Sequence, residues 1–303
     1  MNEALLVLNQ IAIMFIFIAV GYILRAVNLI PEEGGKTLGN ILVYAVVPCV
    51  IINAFMIERT NETIQALGWS FLLAVAGLLI SIIVSAIVFH KNPAANFSAA
   101  FSNAAFIGIP LITGVLGSEY VIYVTGMVIL VNVLQFTYGQ YVLSPKQNQI
   151  NIKSLLLNPL VIATILGIII FFSQVPIPDI VKKSVSGISG LNSPLAMFVL
   201  GIYLRGVPLK QLFTNLKSYI ISLFRLIIIP LLVLAAFYFI PCANEIKIAT
   251  LICMAAPVGS NVVVFSAKNG IDTKEGIIYV LVSTILCIIT LPLFMLLVTT
   301  LIP

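Results

Sequence analysis

From Ala66 to Phe89 the chain carries no charged side chain, and comparable apolar runs recur from one end to the other. A helix needs about 20 apolar residues to cross roughly 30 Å of hydrocarbon. Runs of this kind place helices near 4–27, 38–57, 66–89, 97–117, 119–143, 158–173, 180–204, 216–240, 246–267 and 275–302. The loops between them are short and leave no room for a soluble domain. Hydrophobic residues make up 61% of the 303 and charged residues 8%. A soluble domain carries about 25% charged residues to solvate its surface, so the outer surface of this chain is expected to face lipid. The expected fold class is an all-α integral membrane protein with about ten transmembrane helices.

The net charge of +5 belongs to this picture rather than to nucleic-acid binding, because the basic residues lie between the apolar runs. Arg25, Lys36, Lys91, Lys146, Lys153, Arg205, Lys210, Lys217, Lys268 and Lys274 fall on one side, and Arg59, Lys182, Lys183 and Lys247 on the other. The cytoplasmic side is the richer one, so both termini are expected outside and the Ser144–Asn158 loop inside. The N-terminus, MNEALL, has no basic region of the signal-peptide kind. The four cysteines (Cys49, Cys242, Cys253, Cys287) show no metal or redox spacing and read as packing residues.

Prolines within spans reveal a repeat. Pro48 and Pro194 are 146 residues apart, and Pro110 and Pro257 are 147 apart. A shared offset implies that the second five spans (158–303) repeat the first five (1–143), with 144–157 as a cytoplasmic linker. An odd number of spans per half makes the halves inverted, as in many secondary transporters. The fourth span, FSNAAFIGIPLITGVLG, carries Gly108, Pro110, Gly114 and Gly117. The ninth, MAAPVGSNVVVFSAKNG, carries Pro257 and Gly259 beside Ser260 and Asn261. Proline and glycine both weaken a helix, and backbone groups freed at membrane depth must be buried or line a wet cavity. Two interrupted helices at matching positions point to a binding site at the midplane where they meet.

These residues also carry a resemblance. SNAAFIGIPLI (Asn103, Gly108, Ile109, Pro110), the ninth-span stretch around Pro257 ending at Lys268, SPLAMFVLGIYLRG, RLIIIP (Arg225, Pro230) and VNVLQFTYGQYV (Gln135) occur in order. The chain resembles the auxin efflux carrier family, which includes the PIN-FORMED carriers and short prokaryotic members. The long cytoplasmic loop of plant members is replaced by SPKQNQINIKSLL, and their NPN becomes NPL, with Asn158 retained and Leu160 apolar. The resemblance implies a crossover fold: a scaffold of helices 1, 2, 6 and 7 and a mobile domain of helices 3–5 and 8–10, with helices 4 and 9 crossed. It implies an elevator-type carrier of small organic anions, either dicarboxylates or auxin-like carboxylates, and a homodimer formed through the scaffold.

No Asp or Glu falls within the expected hydrocarbon core, so Ser102, Asn103, Gln135, Ser260 and Asn261 are the polar groups left to build a site. Neutral donors and helix N-termini suit a carboxylate, although Asn, Gln and Ser also join membrane helices to one another. Arg225 lies about 12 Å into its span at 1.5 Å per residue. It either attracts an anion or anchors the fold on helix carbonyls. Lys268 is expected at the cytoplasmic mouth and His90 at the interface. No cofactor or metal is expected, and no nucleophile–base set or acid cluster of an enzyme is present. The alternatives are a sodium-coupled organic-anion symporter of the bile-acid type and a substrate-gated sensor on a transporter fold.

Overall fold

The computed structural model describes residues 3–143, 157–268 and 271–302. Helix α1 is Glu3–Ala26, α2 covers 32–55, and α3 is Asn61–Val88. The fourth is in two pieces, α4a Pro93–Ala100 and α4b Ala104–Val115. Then follow α5 Glu119–Leu143, α6 Pro159–Ser173, α7 Asp179–Arg205 and α8 Leu216–Tyr238. The ninth is also in two pieces, α9a Asn244–Ala255 and α9b Asn261–Lys268. The last, α10, is Thr273–Leu301. Helices α2, α3, α5, α7, α8 and α10 are each long and apolar enough to cross a bilayer; Ala12–Ala26, α4b and α6 are shorter apolar helices. Ile16, Ile83, Ile87 and Ile289 are among the large apolar side chains left exposed on the surface, as lipid contact requires. The protein is an all-helical integral membrane protein.

Where the helices start depends on local chemistry. Thr60 caps α3 by accepting from Thr63 N at 3.1 Å, and the Thr63 hydroxyl accepts from Thr60 N at 2.9 Å. Asn92, Asn158, Asn215 and Asp272 cap α4a, α6, α8 and α10 in the same way. Each cap satisfies one of the first amides of its helix, which have no carbonyl behind them. Helices α2 and α3 begin earlier than hydropathy implies, because their first turns (Glu32–Thr37, Asn61–Thr63) are polar yet helical. A short helix, Leu209–Thr214, fills the connection before α8 and was not foreseen.

Proline has no N–H and clashes with the carbonyl four residues back. The helices absorb this at the predicted distance. Widened π turns occupy Leu42–Val46 before Pro48, Ala104–Gly108 before Pro110 and Phe224–Ile228 before Pro230. Before Pro194, α7 is interrupted at Gly190–Leu191. A fourth π turn, Gln135–Gly139, has no proline behind it, and Pro292 sits inside α10 without one.

One expectation is corrected. Pro110 does not break the fourth helix; it occupies the second position of a continuing segment. The break falls at Phe101–Asn103, where the chain leaves the helix. Its cause is long-range pairing with the break around Pro257, which no local pattern in the fourth span reveals.

Packing follows the glycines. A Cβ on Gly21 would lie 2.3 Å from Phe198 O, and one on Gly201 2.1 Å from Ile18 O, so α1 and α7 touch backbone to backbone. Small residues permit such approaches between membrane helices. Helix α2 packs on α6 and on both parts of α7; α3 packs on α4a, α5, α8 and α9a, and α10 on α8, α9b and α1. Arg59 Nη1 donates to Phe172 O at 2.8 Å, tying the α2–α3 connection to the end of α6. Lys217 and Glu275 pair at 3.6 Å between the starts of α8 and α10. Gly201→Ala forces α1 and α7 apart and is expected to cost about 1–3 kcal/mol. Gly68→Ala, with open space at its Cβ, should gain about 0.5–1 kcal/mol. Thermal unfolding of the purified protein in detergent checks both: the first variant melts lower and the second no lower than the parent.

Candidate functional site

The two breaks meet. Ser102 and Val258 form an isolated antiparallel bridge: Asn103 N donates to Pro257 O at 2.8 Å and Gly259 N to Phe101 O at 2.9 Å. The interruption of each helix thus supplies partners for the other, as buried backbone groups demand. Gly259 allows the approach, because a Cβ there would lie 3.2 Å from Ser102 O and 3.4 Å from Gln135 Nε2. Ser283 supports the ninth break from α10, its hydroxyl accepting from Val258 N at 3.1 Å. Gly108 admits Cys253 of α9a, whose sulfur would be 2.7 Å from a Cβ at that position.

Four half-helices therefore present two C-termini and two N-termini to one region. Arg225, fully buried in α8, serves the C-termini. Its Nη1 donates to Ala99 O at 3.0 Å and Ala100 O at 3.3 Å, and its Nη2 donates to Met254 O. The positive guanidinium thus sits on the negative ends of α4a and α9a, where the helix dipole favours a cation. The N-terminus of α4b receives no such partner. At α4b the first-turn amides of 104–106 precede any intrahelical acceptor, and the Asn103 side chain caps none of them.

The expected site residues collect here. Asn103, Gly108, Ile109, Pro110, Pro257 and Gly259 are buried, and Ser260 and Asn261 are half-buried. Asn261 Nδ2 donates to Gln135 Oε1 at 2.6 Å, and Gln135 is 1% exposed. Asn103 Nδ2, Ser102 Oγ, Ser98 Oγ and Ser266 Oγ are buried without partners. Buried polar atoms in proteins are nearly always paired, so the free Ser102 Oγ and Asn103 Nδ2 mark the crossing as chemically unfinished. The side chain of Lys268, which ends α9b, lies outside the described residues, as do Lys146 and Lys153 and the 144–156 segment. His90 is exposed at the end of α3, 3.0 Å from Ile87 O.

Three buried asparagines were not foreseen. Asn132 lies one turn before Gln135 and donates to Val128 O at 2.7 Å. Asn96 accepts from Tyr138 at 3.0 Å. Asn192 in α7 donates to Ala105 O at 3.0 Å. The i, i+3 spacing of Asn132 to Gln135 was the available signal for the first, and Asn96, met by Tyr138 from another helix, had none. Asn192, beside Pro194, had none. An open cleft of about 540 Å³ lies elsewhere, between Asn53 of α2, Met56 just beyond it, and Lys182, Lys183 and Ser186 of α7. Its lining reaches Gly190, at the interruption of α7, but none of the residues of the α4 and α9 breaks. Among the described residues no three His, Cys, Asp or Glu side chains gather as metal ligands.

A transporter-type membrane protein is what these crossed half-helices define, and the sequence comparisons agree. The chain matches the family described as Membrane transport protein over residues 6–295 and belongs to that family, the auxin efflux carriers. It is similar to an uncharacterized transporter of Methanothermobacter thermautotrophicus, 22% identical over 92% of this chain and 94% of the relative. It is also similar to an uncharacterized transporter of Methanocaldococcus jannaschii, 24% identical over 74% of this chain and 76% of the relative.

Arg225→Lys keeps the charge but loses the fork that reaches three carbonyls on two helices. Hydrogen bonds to charged groups contribute about 1.5–3 kcal/mol each, so the variant is expected to lose at least about 2 kcal/mol of stability. A lowered melting temperature in detergent, with reduced yield of folded protein, is the expected reading.

Proposed function

We propose that this transporter is a secondary carrier of a small organic anion, a dicarboxylate or auxin-like carboxylate, bound where α4 and α9 cross. The observation that carries the proposal is the division of labour at the crossing. Arg225 is committed to the C-terminal carbonyls, while the uncapped N-terminus of α4b and the free Asn103 amide are left for an incoming negative charge. Neutral donors bind a carboxylate without a buried counter-ion that would hold it too long to release. In this reading Asn103, Gln135 and Asn261 give side-chain hydrogen bonds. Ile109, Pro110, Pro257, Gly259 and Ser260 shape the backbone around the ligand.

The crossing is closed, with Asn103 5% and Gln135 1% exposed, so access requires helices to move. Supporting an elevator-type motion, α1, α2, α6 and α7 form one packed group and α3, α4a, α5, α8 and α9a a second, with α4b lying between them against α1 and α7. Helix α10 touches both through α1 and α8. We place both termini outside the cytoplasm from the distribution of Lys and Arg, and a homodimer through the α1, α2, α6, α7 group would give the moving unit a fixed frame. A sodium-coupled carrier is less well supported, since no acidic side chain is among the buried charged residues described.

Losing one hydrogen bond to a charged ligand costs about 1.5–3 kcal/mol, roughly tenfold to a hundredfold in affinity. Counterflow of radiolabelled dicarboxylates, hydroxy acids and indole acids in proteoliposomes is the test. The parent protein is expected to exchange at least one class. Asn103→Ala and Asn261→Ala should raise its apparent KM by that factor while reaching the membrane normally. Binding without exchange would identify a sensor, and unchanged KM in both variants would place the site elsewhere.

A further inference from the structure

The α7 side chain that reaches the crossing has one atom explained and one unexplained. Asn192 Nδ2 donates to Ala105 O at 3.0 Å. That carbonyl lies in the widened turn Ala104–Gly108, five residues before Pro110. In a π turn a carbonyl looks to the N–H five residues on, and Pro110 has none to give. Asn192 therefore supplies a donor that proline removed. This contact also fixes which way the amide faces, because only its nitrogen can donate to a carbonyl. Its Oδ1 is consequently turned elsewhere, and there it is buried without a partner on a side chain only 4% exposed.

A desolvated acceptor left unpaired is costly, and it does not stand alone. Ser193 Oγ, next in sequence, is equally unpartnered, as is Asn103 Nδ2, two residues before the Ala105 carbonyl that holds Asn192. Fold symmetry gives no reason for the group. At the offset that pairs Pro48 with Pro194, the other half carries Val46, which is apolar and fully buried.

We infer that Asn192 is a substrate-contacting residue contributed by α7, and that its free Oδ1 accepts from a donor carried by the substrate. This rests on the carboxylate reading given above and narrows it. The free Asn103 amide and the α4b amides take the carboxylate. Asn192 Oδ1 takes a hydroxyl or amide hydrogen near that carboxylate. The preferred substrates are carboxylates with a neighbouring hydrogen-bond donor, hydroxy acids above all, over otherwise identical acids that lack it. A site built around a donor rejects the analogue without one, because its own acceptor is then left dry and unpaired.

The test is direct binding to the purified protein in detergent, by calorimetry, of matched pairs: malate against succinate, and lactate against propionate. The parent protein should bind the hydroxy member of at least one pair about tenfold or more tightly. Asn192→Leu should reduce that ratio to near one by weakening only the hydroxy acid, and Asn192→Thr, which restores a hydroxyl, should recover part of it. Equal affinity within both pairs in the parent overturns the inference while leaving the carboxylate reading intact, and this needs no variant to fold. A ratio that survives in Asn192→Leu also overturns it. If none of the four acids binds, this inference falls, while the carboxylate reading fails only if the wider counterflow panel, indole acids included, also shows no exchange.

Discussion

Inside hydrocarbon a backbone N–H or C=O without a partner costs several kcal/mol, and two helices of this protein are deliberately left unfinished there. Each break is completed by the other through the pairing of 101–103 with 257–259. The C-terminal carbonyls that remain are gathered by one guanidinium, Arg225. Remove either device and several buried groups lose their partners at once. The backbone-to-backbone seating of α1 on α7 and the capped starts of α3, α4a, α6, α8 and α10 support the frame around this crossing. The completion stops short at the N-terminus of α4b, at Asn103 Nδ2 and at Asn192 Oδ1.

Much of this was legible in the sequence for simple reasons. Helical membrane spans announce themselves by length and composition, so the ten apolar runs map onto α1–α10 with shifts of a few residues at polar ends such as Glu32–Thr37. The prolines at 48, 110, 194 and 257 marked the irregular helices correctly. Proline acts on the carbonyl four residues back, however, so the distortion lies before it, in 42–46, 104–108 and 190–191. The true break at 101–103 depends on a partner some 155 residues away, and periodicity carries no such information. Asn192 was invisible for the same reason: only the folded chain shows that it stands in for the N–H that Pro110 lacks. For Arg225 two readings stood open, and the structure places its donors on carbonyls.

The same physics supports the proposal that the crossing takes a passing anion. A fixed positive side chain in the site would bind a carboxylate strongly and release it slowly, whereas helix N-termini and neutral amides offer a weaker, directional field. Spending the one deeply buried arginine on the fold keeps that field neutral in net charge. The cleft beside Lys182 and Lys183 is basic and open, and its lining includes none of the residues of the α4–α9 crossing.

The central claim is that the crossing binds a carboxylate while Arg225 stays on the helix carbonyls. The most direct measurement is a cryo-electron-microscopy structure of the protein in nanodiscs with a saturating carboxylate identified by counterflow. The account predicts ligand density between Asn103 and Asn261 at the N-termini of α4b and α9b, with the guanidinium still on Ala99, Ala100 and Met254. Density only in the cleft at Lys182 and Lys183, or an Arg225 side chain turned onto the carboxylate, would contradict it.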